Sequence, residues 1–425
     1  MNPRRRQFVL GACALAAAPR LRAGNERPRV VIIGAGWGGL AAARQLTLQA
    51  PDLDVLLIEK NEHFVSLPLA NRYLVGLDDG QRLYRPLAPA AREAGYRCLK
   101  REVTAIDRAN RLVVTAGDSI AYDWLVLSPG IREDWAGLCG GDADLGRRVH
   151  QMYASAFVAE ADFAGLKERL RRFPGGNFLM TIPPAPYRCP PAPYERAVMI
   201  AWFFKTQGRK ARLTLVEPNA PWPSYQRIFR EYFADQIVYL PQTRLHRIDP
   251  DKRIASLDIY DVAFDDAILM PQQQAGEPCW QADLIDRGEN GQATGWAAVD
   301  PLTFRARSDP RVFVIGDSVG RVSPLFGYYP KTGQMAARMG AIVAAQIAAQ
   351  SRGRTTPPVL PESTCYAQLS VDPPAVAEII ATYARRGDGL LTQTIRQSRN
   401  DQPSGEADAW LESALGELFG RGGAR

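Results

Sequence analysis

Short apolar runs that stop at glycine or an acidic residue set the pattern of this chain. Arg29-Val30-Val31-Ile32-Ile33 predicts a buried strand, Gly34-Ala35-Gly36-Trp37-Gly38-Gly39 follows it, and apolar residues then recur at helical spacing over 40–48. A second strand over 55–58 ends in Glu59 and Lys60, and Trp124-Leu125-Val126-Leu127 is closed by Ser128-Pro129-Gly130. Further strands are predicted over 177–182 and 212–216. The last, 311–315, runs into Gly316-Asp317, and Pro330-Lys331-Thr332-Gly333-Gln334 then opens an alanine-rich helix that reaches Ala349. Strands alternating with helices predict an α/β chain built on parallel sheets.

Gly-x-Gly-x-x-Gly carries little information alone, but here it joins a strand to a helix, with Glu59 lying 20 positions after Gly39. That context marks a dinucleotide site. Gly34 allows the tight turn, Gly36 lets the backbone approach a pyrophosphate, and Gly39 lets helix and strand pack closely. Glu59 is placed to accept hydrogen bonds from an adenosine ribose, with Lys60 beside it. Gly316-Asp317 at the end of a later strand points to FAD, because a carboxylate there can hold a ribityl hydroxyl that NAD lacks. The helix that starts at Gly333, next to Lys331, offers its positive end to the reduced flavin ring.

Residues 150–275 stand where a second dinucleotide unit would bind NAD(P)H, and they begin as such a unit does. The glycine loop is missing. In its place Pro183-Pro184-Ala185-Pro186-Tyr187-Arg188-Cys189-Pro190-Pro191-Ala192-Pro193 has few N–H groups to offer a phosphate and no glycine turn. The predicted fold is therefore two Rossmann-like dinucleotide-binding domains followed by a C-terminal cover segment. Residues 25–149 and 276–356 form a discontinuous FAD domain, 150–275 a degenerate NAD(P)-type domain, and 357–425 the cover. NADH and NADPH are not expected to reduce the flavin.

Composition, with 46% hydrophobic and 23% charged residues, is that of a globular protein and excludes disordered and fibrous classes. Of the net charge of +7, Arg4, Arg5, Arg6, Arg20 and Arg22 supply five, so the remainder argues for no nucleic-acid partner. Those arginines belong to residues 1–24, where Arg5-Arg6-Gln7-Phe8 precedes a short apolar run, the pattern of a twin-arginine export leader. A periplasmic location follows, and twin-arginine export suits a chain folded around a cofactor. No later stretch reaches the roughly 18 consecutive apolar residues that span a bilayer.

Loss of the leader would remove Cys13 from the six cysteines, leaving Cys98, Cys139, Cys189, Cys279 and Cys365, an odd number. No Cys-x-x-Cys-His attaches a haem, and His63, His150 and His246 lack metal-ligand spacing, so no metal is expected and all three are read as structural.

The stretch Arg188-Cys189-Pro190-Pro191-Ala192-Pro193-Tyr194-Glu195-Arg196, the turn Pro330-Lys331-Thr332-Gly333, the segment Thr364-Cys365-Tyr366 and the closing Ala409-Trp410 together resemble the flavoprotein subunit of flavocytochrome c sulfide dehydrogenase. The resemblance implies that Cys189 and Cys365 form a redox-active disulfide over the flavin, that sulfide opens it to a persulfide, and that the electrons pass through FAD to a c-type cytochrome, as a separate subunit or a soluble protein. Cys98, Cys139 and Cys279 are then structural, although related sulfide:quinone oxidoreductases use a third cysteine near the place of Cys139. One departure is clear. Aligned on Asn71, Leu67 and Ser66 stand where a cysteine would link the flavin covalently, so FAD is expected to be held without a covalent bond. The alternatives are a sulfide:quinone oxidoreductase, which requires an apolar C-terminal foot, and a flavin-bearing assembly protein that exchanges thiols with clients.

Overall fold

The computed structural model describes residues 27–158 and 160–420; the expected leader lies outside the described residues. The first sheet has the strand order Arg305–Ala306, Asp309–Val314, Trp124–Leu127, Arg29–Ile33, Asp54–Glu59 and Arg97–Lys100. Its four neighbouring pairs from Asp309–Val314 onward are parallel. Strands buried on both faces need apolar side chains at successive positions, which is why Val30, Val31, Ile32 and Leu125, Val126, Leu127 are continuous runs without exposure.

Helix Trp37–Gln49 lies against helix Gly333–Gln350 through small residues. A Cβ on Gly340 would come within 2.3 Å of the Gly38 carbonyl oxygen, so the helices cross closer than ordinary side chains permit. Their crossing brings both N-termini to the same edge of the sheet. Leu40 and Leu46 are fully buried beneath them, each worth roughly 2 kcal/mol against exposure.

A second, wholly parallel sheet runs in the order Ile237–Leu240, Ala211–Val216, Gly176–Thr181 and Asp266–Ile268. The chain passes between the sheets along Ile131–Glu133 and Gln273–Ala275, which pair antiparallel. The outward crossing comes before the expected boundary at residue 150, because helix Ala143–Tyr153 sends Val149 and Tyr153 into a core shared with Leu179 and Ala267 of the second sheet. Two antiparallel meanders, at 103–121 and 245–263, were not anticipated.

The C-terminal segment is a meander of Ser363–Ser370, Ala375–Arg385 and Leu391–Asn400, followed by helix Glu406–Phe419. It has no core of its own. Leu369, Ala375 and Ala377 join the core of the second unit, whereas Leu391, Leu411, Leu415 and Leu418 join that of the first.

Candidate active site

Where the two units and the C-terminal segment meet, a cavity of about 950 Å³ opens. Of the residues singled out in the sequence, Gly34, Gly36, Glu59, Lys60, Gly130, Gly316, Asp317, Lys331, Gly333, Cys189 and Cys365 line it. Gly39 does not; it is buried in the helix, where a Cβ would stand 1.9 Å from the Gly34 carbonyl oxygen. Gly36 is the opposite case, since a Cβ there would meet nothing within 4 Å. The open space beside the Gly36 backbone, at the start of helix Trp37–Gln49, is what a pyrophosphate requires. Glu59 is held ready beside it, accepting from the backbone N–H of Ala35 at 2.8 Å and of Asn61 at 3.0 Å. These features fit the adenosine half of FAD.

At the other end of the cavity the proline-flanked loop turns into helix Ala192–Thr206 at Pro191, with Pro193 in the first turn, where a missing N–H costs nothing. Cys189 sits just ahead of it with φ +49°, a left-handed conformation that costs a side-chain-bearing residue roughly 1–2 kcal/mol. The strain is held from several sides. Cys189 N–H donates to the Lys331 carbonyl at 2.8 Å. Arg188 donates from its backbone to Gln273 Oε1 at 2.7 Å, from Nη1 to the Phe157 carbonyl at 2.6 Å, and from Nε to Asp317 Oδ2 at 2.7 Å. Asp317, expected to face a ribityl hydroxyl, thus spends one oxygen on Arg188. The Lys331 ammonium donates to the carbonyls of Asp317 at 2.7 Å and Val319 at 2.9 Å and lies over the Trp296 ring. It braces the turn in front of helix Gly333–Gln350.

Cys365 arrives on strand Ser363–Ser370, which is fixed to Gln334 by Thr364 N–H and to Glu195 Oε1 by Gln368 N–H at 2.8 Å. Both cysteines line the cavity, and each feels the other or the same neighbour, Glu195. They stand as two thiols, so the disulfide expected from the resemblance is not formed in this structure. Burial pushes Cys365 up to about 12, with Glu195 adding to it. Burial also lifts Cys189 well above the ordinary thiol range, reinforced by Cys365 and Glu195.

Cys98, Cys139 and Cys279 do not line the cavity, and Cys139 packs with Val149 and Leu179. Leu67 lines it, while Ser66 is fully buried outside it. Glu195 and Arg196 belong to the motif that carries the resemblance, but nothing in the sequence gave either a part at the site. Glu195 and Arg196 are buried side chains of helix Ala192–Thr206, bound to Asn71 at 2.5 and 2.9 Å respectively, and their direction depends on where that helix docks. His150, read as structural, lines the cavity.

In the second unit the carboxylate at the ribose position is already engaged. Glu217 follows strand Ala211–Val216, where a working unit would offer a carboxylate to ribose. Here Glu217 is wholly buried and accepts from Tyr194 at 2.7 Å, from Tyr239 and from Asn219.

Comparison with known proteins agrees with this architecture. Residues 164–268 match the family model of the central part of the sulfide dehydrogenase [flavocytochrome c] flavoprotein chain, and residues 28–161 match that of pyridine nucleotide-disulphide oxidoreductases. The chain is 22% identical over 320 residues to the mitochondrial sulfide:quinone oxidoreductase of Mus musculus, covering 73% of this chain and 68% of that protein. It is 23% identical over 350 residues to the sulfide-quinone reductase of Aquifex aeolicus, covering 75% of each. The crystal structure of the sulfide:quinone oxidoreductase from Aquifex aeolicus shares the fold with a TM-score of 0.73 at 19% identity, over 93% of this chain and 92% of that one. The resemblance read from the sequence stands, and the chain is an FAD-binding flavoprotein.

Proposed function

We propose that this chain is an FAD-dependent oxidoreductase that oxidises sulfide through Cys189 and Cys365 and delivers the electrons to a c-type cytochrome in the periplasm. One observation carries the reading: two cysteines 176 positions apart in sequence line the same cavity as the dinucleotide fingerprint. Bound FAD would supply a two-electron oxidant that can release its electrons singly. Gly34, Gly36 and Glu59 would hold the adenosine end, and Gly130, Asp317 and Gly333 the flavin end.

The chain's own residues account for the sulfur chemistry. In the oxidised pair, hydrosulfide attacks one sulfur, an S–S bond to the substrate forms, the protein S–S bond breaks, and the second sulfur leaves as thiolate. Because burial and Glu195 disfavour a thiolate at either position, the departing sulfur takes up a proton. That proton is the one the attacking hydrosulfide carried, since both Glu195 oxygens already accept, from Asn71 Nδ2 and from the Gln368 N–H. The left-handed turn at Cys189 and the strand pairing at Cys365 keep both sulfurs in the cavity through the cycle.

The acceptor separates this reading from that of a sulfide:quinone oxidoreductase, the activity by which the relatives above are named. Helix Glu406–Phe419 turns Leu411, Leu415, Leu418 and Phe419 inward and leaves Glu412 and Glu417 outside, so its apolar face is already occupied. Among the described residues no helix is long and apolar enough to cross a membrane. The covered apolar face of the C-terminal helix favours a water-soluble acceptor. The experiment is anaerobic titration of the flavoprotein with sulfide, followed by addition of cytochrome c or a short-chain quinone. Bleaching of the flavin and reduction of the cytochrome alone are expected, and reduction of the quinone alone would establish the second reading. Cys189→Ser and Cys365→Ser should keep the flavin and lose sulfide-dependent turnover by more than about 10³-fold, because serine carries no persulfide.

A further inference from the structure

The cavity that holds the cysteines extends to a second group of polar side chains that the sulfur exchange does not use. Glu133 ends the crossing strand Ile131–Glu133; its Oε1 accepts from Ser155 Oγ at 2.5 Å and its Oε2 from Trp135 Nε1 at 3.1 Å. His150 stacks on Trp135 with ring centroids 4.7 Å apart, and its Nε2 lies 3.6 Å from Asp162 Oδ2. Glu133, His150 and Asp162 all line the cavity. The imidazole is the outermost of the three, with its side chain 38% exposed.

From the cysteine side the polar groups are continuous with this cluster. Glu195 is bonded to Asn71, Asn71 to Arg196, and Arg196 to the carbonyl oxygens of Ser155 and Ala156. Ser155 then donates to Glu133. Arg196 is too well bonded to pass a proton itself, but it holds Ser155, and hence Glu133, at the wall of the shared cavity. A cavity lined by carboxylates and an imidazole is where water can bridge donor to acceptor.

We propose that Glu133, together with His150 and Asp162, conducts the proton released in sulfide oxidation from the cysteine pocket to solvent. The inference rests on the reading of the chain as a sulfide oxidoreductase. Over a full turnover hydrosulfide gives zero-valent sulfur, two electrons and one proton; a cytochrome takes the electrons alone, so one proton per turnover needs an acceptor that opens to water. The groups facing Glu133 are Ser155, Trp135, His150, Asp162 and Arg196. Burial pushes the Glu133 carboxyl up to about 7, against the hydrogen bond from Ser155 and the charge of His150. The Asp162 carboxylate beside it raises His150, and Glu133 adds to the effect. Glu133, at about 7, can both take up and release a proton near neutral pH, and the partly exposed His150 is the neighbour through which it meets water.

The test uses the FAD-loaded full chain. Hydrosulfide itself ionises near neutrality, and that ionisation is seen in kcat/KM; the relay is read in kcat at saturating sulfide. We expect the wild-type kcat to rise with pH through a limb near 7. Glu133→Gln should lose that limb and roughly 10²-fold in kcat, Glu133→Asp should retain part of it, and free imidazole should restore His150→Ala by entering the space beside Trp135. A readout independent of turnover is the infrared band of a protonated carboxyl in the resting protein, which should titrate near 7 and vanish in Glu133→Gln. An unchanged kcat profile in Glu133→Gln, a carboxyl band titrating near 7 that is undiminished in that variant, or a loss in His150→Ala that imidazole leaves untouched would each overturn the relay. A wild-type flavin that sulfide does not bleach would bring down the underlying reading and the relay with it.

Discussion

Arg188 supports the cysteine loop as a glycine turn would support a nucleotide loop, by fixing a backbone that would otherwise relax. Its ion pair with Asp317 is largely screened from water, the side chains being 15% and 11% exposed. Removing either partner strands the other, so Arg188→Leu and Asp317→Asn are each expected to cost about 3 kcal/mol in urea unfolding. The double variant should cost less than the two summed, by at least ~0.5 kcal/mol; strict additivity would show the pair to be uncoupled. Lys331 gives a pH prediction. Burial first, then the charge of Arg188, lowers its ammonium to about 7, against the pull of Asp317. A depressed base favours the folded state when neutral, so this contribution is full above the ordinary lysine range and is lost as pH falls through about 7. The melting temperature should therefore drop more steeply between pH 9 and pH 6 in the wild type than in Lys331→Met, and equal slopes would refute it. Sequence made Lys331 and Asp317 legible as site residues, since each follows a recognisable strand or turn. Their partners were not legible, because Arg188 reaches Asp317 across 129 positions.

At the scale of elements, the strand, turn and helix from Arg29 to Gln49 contain two glycines with opposite duties. Gly39→Ala forces a Cβ to 1.9 Å from a backbone oxygen and should unfold or strongly destabilise the protein. Gly36→Ala meets nothing, so the apoprotein should melt within a few degrees of wild type while losing most of its affinity for FAD. Comparing melting temperature with retained flavin separates the two; equal losses of stability would mean that Gly36 is structural as well. The cover depends on Asp408, which binds Arg72 at 3.0 Å and Arg82 at 2.6 Å from helix Glu406–Phe419. These groups are partly exposed, so Asp408→Asn should cost only about 1 kcal/mol globally. Its clearer effect should be faster amide exchange in that helix, with the Asp309–Val314 strand unaffected. The strands and helices of the two parallel sheets were legible because burial on both faces demands continuous apolar runs. The C-terminal meander was not, because a strand with one exposed face and a mixed sequence resembles a loop.

At the scale of the molecule, the two dinucleotide units have diverged. The first leaves an open cleft at Gly36, while in the second Tyr194, Tyr239 and Asn219 engage Glu217 at the ribose position. NADH and NADPH should accordingly fail to bleach the flavin in anaerobic stopped-flow mixing, and bleaching at the rate produced by sulfide would overturn that expectation. Sequence by itself determined the first dinucleotide site and the loss of the second glycine loop, because each rests on local backbone chemistry: turns that need glycine and loops that proline prevents. Cys189 and Cys365 were singled out from five cysteines only by the family resemblance of the segments that carry them. Only the tertiary structure decided that Cys189 and Cys365 share a cavity, that Asp317 answers to Arg188, and that His150 faces the site with Glu133 and Asp162. Those relations join residues on separate segments, and their distances depend on how two sheets and a cover pack, which no local pattern encodes.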